Sequence, residues 1–176
     1  MSEVADLVRT GRVWMFGDRV NTDELYPGFA MKLPIGEAAR FMFHATRPTW
    51  VDEVLEGDVV IGGHGFGMGS SRPVPLLFKK LGVSCVLAEQ FNSLFFRNCV
   101  NYGLPALGVP GVTELFTEGD RAAVDVAAGV VTNLTTGGAL TTPPLPGFVL
   151  DILRSGGLRA MLRAQGFILD EKRPSS

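Results

Sequence analysis

Residues 12–16, Arg-Val-Trp-Met-Phe, open the regular pattern of the chain as an alternating strand. The polar run over 18–23 that follows reads as an exposed loop able to carry function. Apolar spacing over 36–43 predicts a short helix that fails before Pro48, because proline disfavours helical geometry in the residue before it. Residues 46–57 lead into the next strand. The apolar run 58–61 predicts a buried strand, followed by glycines and a helix over 73–81 that stops at Gly82. Residues 83–90 predict another apolar strand, and 92–101 an amphipathic helix closing at Gly103, so this stretch forms a βαβα unit. Further on, 121–136 and 138–145 read as paired hairpin strands with a turn near Ala128 and Gly129. Residues 146–165 read as a C-terminal helix interrupted at Gly156 and Gly157. The tail from about residue 170, DEKRPSS, is expected to be loose. No internal repeat or low-complexity linker divides the chain, so residues 1–176 are expected to form one α/β domain with a layered β/β/α arrangement.

Composition narrows this picture. A chain of 176 residues can bury well over half of its unfolded surface in one core, and 46% hydrophobic with 19% charged residues marks it as globular. A net charge of −2 argues against a nucleic-acid partner, so a small anionic ligand would need a local site. No run approaches the roughly 18 apolar residues of a membrane span, and MSEVADLVRT lacks the basic-then-apolar order of a signal peptide, so the chain is expected to be cytoplasmic. Cys85 and Cys99 stand apart in VSCVLA and RNCVNYG and are expected to be buried thiols. Two are too few for an iron–sulfur cluster held by this chain alone, which takes three or four thiolates.

Candidate chemistry concentrates where the second strand hands over to its helix. Gly63, Gly65, Gly67 and Gly69 remove side chains from alternate positions, which would let a ligand approach the backbone. With Pro73 in the first helical turn, Ser70, Ser71 and Arg72 would sit at a helix N-terminus with free amides, the outline of an anion site. Arg72 adds a planar fork for a carboxylate or phosphate. The plainer alternative is that Ser70 or Ser71 caps the helix and Arg72 pairs with a surface acid. The glycine spacing also partly mimics a dinucleotide fingerprint, with Glu89 about 20 residues on. Against that reading, Ser70-Ser71-Arg72 intrudes where the fingerprint needs close helix packing. The G-K-[ST] of a P-loop and the G-x-S-x-G of a hydrolase elbow are absent. His44 and His64 are expected to be structural or solvent-facing.

Taken with their flanks, these residues resemble the small subunit of 3-isopropylmalate dehydratase and, more distantly, the swivel domain of aconitase and homoaconitase. The resemblance covers most of the chain and rests on FGDRVNTDELYPG, GDVVIGGHGFGMGSSR, GVSCVLAEQFNSLFFRNCVNYGLPAL, and the later VTNLTTG and PLPGFVLDILRSGGL. It implies a mobile β/β/α domain that closes over a large subunit holding a four-iron four-sulfur cluster. The implied reaction removes and re-adds water across a carbon pair of a small hydroxy di- or tricarboxylate.

By the same resemblance Ser70 is the base that takes the carbon-bound proton, Arg72 grips a substrate carboxylate and Ser71 is a second hydrogen-bond donor. Asp23, in N-T-D, is the carboxylate that orients the arginine or serine; its alternative is an Asx-turn residue. Gly28-Phe29-Ala30-Met31-Lys32 corresponds to a loop that helps choose the substrate's side group, with Lys32 where relatives carry an apolar residue or an arginine. There it would meet a distal carboxylate, or else be an ordinary surface lysine. Arg97 and Asn98, in F-F-R-N, would brace the core or the loop. Two departures stand out: Met68 precedes G-S-S-R, and R-P-V-P replaces R-E-H-A, so Pro73 and Val74 stand for a glutamate and a histidine. Met68 is adaptable filler, whereas R-P-V-P points to a paralogue acting on a related substituted malate or tricarboxylate. A second reading is a catalytically lapsed anion-binding or regulatory module of the same fold.

Overall fold

In this computed structural model residues 7–69 and 71–168 are described, so Ser70 and the tail expected to be loose lie outside the described residues. The first strand, β1 (Val8–Met15), shows how the fold is built, because Val13 faces one hydrophobic core and Trp14 the other. β2 (Val59–Phe66) and β3 (Cys85–Phe91) repeat the division: Val59, Ile61, Cys85 and Leu87 join Val13, while Val60, Phe66, Val86 and Ala88 join Trp14. Strands buried on both faces need apolar residues at nearly every position, as over 59–63 and 85–88, whereas β1 keeps the polar Arg9, Thr10 and Arg12.

With β4 (Ala106–Gly108), β5 (Arg121–Asp125), β6 (Val130–Asn133) and β7 (Ala139–Thr141), the sheet runs in the order β4-β3-β2-β1-β5-β6-β7. Pairing is parallel from β4 to β1 and antiparallel from β1 to β7. Ala122, Val124 and Val131 of the antiparallel half share a core with Val59 and Ile61, so that half lies over one face of the parallel half. The other face carries α4 (Val74–Lys80) and α5 (Ser93–Asn101), the crossovers between parallel strands. This is the β/β/α layering expected from the sequence. Helix α7 (Gly147–Arg154) closes the first core with Val149 and Ile152, and α8 (Leu158–Ala164) follows a break at Gly156 and Gly157, where it was expected.

Other boundaries moved. The polar run 18–23 is not all loop, because α1 (Thr22–Leu25) begins inside it. The helix expected over 36–43 shrinks to α2 (Ile35–Ala38) and a 3-10 turn over Ala39–Phe41. Phe43 leaves helical geometry with φ 54° to bury its ring, stacked on Phe16 at 4.1 Å and edge-on to Trp50 at 5.2 Å. β2 does not stop at Ile61 but continues through the glycines to Phe66. β4 and α6 (Val112–Leu115) are too short to repeat a strand or helix period and were not foreseen.

A polar knot fastens the segment between α2 and β2, which includes α3 (Trp50–Glu53), to the sheet. Asp58, buried, accepts from Trp14 Nε1 at 2.7 Å, Arg12 Nη2 at 2.8 Å and the Leu55 N–H at 2.9 Å. The Arg12 and Arg47 guanidinium groups lie 4.6 and 4.8 Å from the Trp14 ring centre. Arg47 then grips both oxygens of Glu118 at 2.8 and 2.5 Å. That grip holds the Glu118 carboxyl below its usual range. A carboxylate whose folded pKa is depressed stabilises the fold fully above its unfolded value, and the contribution is lost as pH falls through the folded one. Glu118→Gln should therefore unfold at a lower denaturant midpoint than the parent at neutral pH, with the gap closing as pH drops from about 5 to about 3. Equal gaps at both ends would remove the ion pair as their source.

Candidate active site

The glycine-rich end of β2 is shaped by what packs against it. A Cβ on Gly63 would stand 1.9 Å from Asp18 Oδ1, which accepts the His64 N–H at 2.7 Å. Gly67, at φ 82°, leaves the space that the Phe95 ring fills, since a Cβ there would lie 2.1 Å from its Cγ. The expectation that these glycines clear room for a ligand is corrected at these positions: the space is taken by the chain's own Asp18 and Phe95.

The missing side chains let a second segment run alongside. Gly63 N–H donates to Gly17 O at 3.1 Å, Arg19 N–H to His64 O at 2.7 Å, Gly67 N–H to Val20 O at 2.8 Å and Thr22 N–H to Met68 O at 2.7 Å. This pairing delivers α1, whose start Asn21 caps: its Oδ1 accepts the Glu24 N–H at 3.0 Å and its Nδ2 donates to Glu24 Oε1 at 3.1 Å. Helix α1 holds the arginine. Arg72 Nη1 donates to Tyr26 O at 2.7 Å and Thr22 O at 3.3 Å, and pairs with Asp23 Oδ1 at 2.5 Å. The Arg72 side chain is 15% exposed and that of Asp23 77%. Among the described residues Nε and Nη2 of Arg72 have no partner, so the other edge of the fork is available.

Of the other expected site residues, Ser71 is held by Asn98 of α5, whose Nδ2 donates to its Oγ at 3.1 Å and leaves the hydroxyl proton free to donate elsewhere. Asn98 also reaches Arg72 O at 3.5 Å and so braces the loop, as foreseen. Ser70, the expected base, lies outside the described residues. Lys32 ends the 3-10 turn Gly28–Lys32, exposed, and makes no hydrogen bond or ion pair with Arg72, Asp23 or Ser71. Both histidines are exposed, with His44 edge-on to Phe29 and Phe41.

The helix start needs a correction. α4 begins at Val74, with Pro73 outside it as the cap. The Val74 N–H donates to Arg72 O at 2.8 Å, Leu76 N–H to Pro73 O at 3.1 Å, and Pro73 and Pro75 have no N–H. The first turn of α4 itself therefore offers no free amide from residues 73–76, while the Ser71 and Arg72 N–H groups that precede it donate to no backbone carbonyl among the described residues. Glu89, which the fingerprint reading would place on a ribose, instead accepts from Gly111 N–H at 2.7 Å, Thr113 N–H at 2.9 Å and Thr113 Oγ1 at 2.6 Å, holding the start of α6. Burial alone would raise its carboxyl, but these bonds outweigh burial and hold it below the usual range.

The cysteines do not fit a cluster. Burial pushes the Cys85 thiol up to about 12 and Cys99 also upward, and they sit in different cores. Among the described residues no group of three or more His, Cys, Asp or Glu could hold a metal ion, and no helix is long and apolar enough to cross a membrane.

The cleft lined by Thr22, Gly67, Gly69, Ser71, Arg72 and Asn98 is too slight to enclose even a water-sized sphere. Ligand pockets usually span roughly 300–1,000 Å³, so the chain offers one wall of a site.

The aconitase C-terminal domain model matches residues 21–110, a span that begins at Asn21 and contains every cleft residue. A 3-isopropylmalate dehydratase small subunit from Methanopyrus kandleri is 39% identical over 92% of this chain and 95% of its own length. The chain belongs to this small-subunit family. An isopropylmalate/citramalate isomerase small subunit from Methanocaldococcus jannaschii is 41% identical over 87% and 92% of the two chains, and a methanogen homoaconitase small subunit from Methanothermobacter thermautotrophicus is 37% identical over 84% and 86%. Among solved structures, a 3-isopropylmalate dehydratase crystal structure from Methanocaldococcus jannaschii superposes with a TM-score of 0.84 at 28% identity, over 90% of this chain and 95% of that one. A member of the 3-isopropylmalate dehydratase small-subunit family implies a large-subunit partner, in keeping with a one-walled cleft.

Gly67→Ala should destabilise the fold by about 2–4 kcal/mol in urea denaturation, from overpacking against Phe95 and left-handed geometry together. A near-neutral result would mean that the loop yields and does not set the cleft.

Proposed function

We propose that this chain is the small subunit of an aconitase-type hydro-lyase that dehydrates and rehydrates a substituted malate or tricarboxylate, paired with a large subunit that carries a four-iron four-sulfur cluster. The observation that carries this reading is the Arg72 guanidinium, fixed through Nη1 by two carbonyls and Asp23, with its Nε and Nη2 edge turned to no partner among the described residues. A carboxylate docks on that edge with two parallel charge-assisted bonds. Asp23 and α1 hold the fork so that little side-chain freedom is lost when substrate arrives.

Ser70 takes the proton from the carbon next to the one that loses hydroxide, and Ser71 donates a hydrogen bond to substrate or to the Ser70 alkoxide. Serine is a very weak base, so this role needs nearby positive charge and a site closed to water. Arg72 supplies charge, and a partner covering the cleft supplies closure. The cluster belongs on that partner because Cys85 and Cys99 are unsuited to hold it. The relatives' names span isopropylmalate, citramalate and homoaconitase. Within that range Lys32 favours substrates with a distal carboxylate over purely alkyl side groups. The same reading puts the chain in the cytoplasm, where both cysteines stay thiols. The alternative of a lapsed anion-binding module, raised by R-P-V-P, would have fewer amides to draw on, since Pro73 and Pro75 have none.

Reconstitution with the large subunit tests this. Ser70→Ala should lower kcat at least about 10³-fold with KM within a few-fold, and Arg72→Lys should lower kcat/KM about 10²-fold. Full turnover by the Ser70→Ala complex would end the base assignment, and activity of the purified chain alone without iron would end the subunit assignment. On a panel of hydroxy diacids and triacids, Lys32→Leu should lower kcat/KM for triacids about tenfold and spare alkylmalates. Parallel losses on both classes would take substrate choice away from Lys32.

A further inference from the structure

Two hollows open at the carboxyl ends of the parallel strands. The Arg72 cleft follows β2 and β3, at Gly67, Gly69 and Asn92. The other, about 830 Å³, follows β3 and β4, at Phe91, Gly108 and Pro110, and runs between α5 and α7. Helix α5 divides them: Leu94, Phe95 and Asn98 line the cleft, and Phe96, Arg97 and Val100 line the groove.

The groove is built to meet another protein surface. Phe148, in the first turn of α7, leaves its ring 68% exposed, whereas Val149 and Ile152 behind it serve the core. An exposed aromatic beside an apolar hollow is the usual anchor of an interface. Arg97 is exposed on the rim and has no hydrogen bond or ion pair among the described residues. The acid in the groove, Glu89, is spent on α6.

Geometry decides between occupants. A stable interface buries about 800 Å² per partner, a patch roughly 30 Å across, while a helix with its side chains is about 10–12 Å wide. A partner centred on the one-walled cleft therefore reaches across α5 into the groove. We infer that the groove between α5 and α7 is the anchoring surface for the large subunit, which places apolar side chains against Phe148 and Phe96 and an acidic residue against Arg97. This inference rests on the two-subunit reading above.

The test uses the full chain and its cluster-bearing large subunit, with association measured by sedimentation and, separately, activity titrated against the small-subunit concentration. Phe148→Asp and Arg97→Glu should each weaken association at least about tenfold, with kcat at saturation within about twofold of the parent. Phe167→Asp, exposed but outside the groove, should leave association unchanged. Unchanged association in both groove variants would overturn the inference, as would a loss confined to self-association of the small subunit. Because association is read independently of turnover, a pair that binds through the groove yet shows no hydro-lyase activity would fail the proposed function alone.

Discussion

The pairing of residues 17–22 with the glycine-rich end of β2 decides where each described polar group of the cleft sits. Five backbone bonds join the segments, each worth about 1 kcal/mol net, and together they bring α1 beneath Arg72. Without α1 a mostly buried guanidinium would lose the Thr22 and Tyr26 carbonyls, and an unpaired buried charge is far more costly than an exposed one. Gly63 and Gly67 are therefore upstream of the chemistry although neither touches an expected ligand. They admit Asp18 and Phe95, those two fix the loop, and the loop fixes the arginine.

A second fastening works in the core on the same face of the sheet. Asp58 gathers Trp14, Arg12 and the Leu55 amide, and Arg47 stacks on Trp14 while holding Glu118. Together with the stacked rings of Phe16 and Phe43 this knot packs the segment between α1 and β2 onto β1. The turn that ends in Lys32 belongs to that segment, so its position depends on the same core that buries Trp14 and Trp50. Lys32 thus rides on the segment that follows α1, while Arg72, beyond β2, is held by α1 itself.

Much of this was legible in the chain itself. The paired strands and crossover helices of residues 58–103 follow from apolar runs and glycine stops, and Asp23, Ser71 and Arg72 come together as the motifs suggest. What stayed hidden has physical reasons. β4 and α6 are three and four residues long, too short for a period to repeat. The sequence displays four glycines but not the side chains that occupy the space they leave. Pro73 reads well as the first helical residue, yet a second proline two positions later withholds a second amide, and the helix starts late. The groove could not be read at all, since Phe148 becomes an exposed ring only once α7 has been laid beside α5 by the core residues on its other face.

The altered start of α4 changes how the cleft must handle charge. With no free amide from residues 73–76, the proposed site would have to meet a carboxylate with the Arg72 guanidinium, the Ser71 hydroxyl and the N–H groups that precede the helix. Arg72 arrives partly neutralised, but by an Asp23 that is mostly in water, where such a pair contributes under about 1 kcal/mol. Covering the cleft removes that water and strengthens both the Arg72–Asp23 pair and the bond to an incoming carboxylate, because Coulomb energies grow as the local dielectric falls. The guanidinium then sits between two anions, one from the chain and one from the substrate, a balance favourable only once the site has closed. On the proposed reading, closure by the partner would thereby be coupled to a carboxylate on Arg72, and the cleft would gain its affinity from the assembled enzyme more than from the isolated chain.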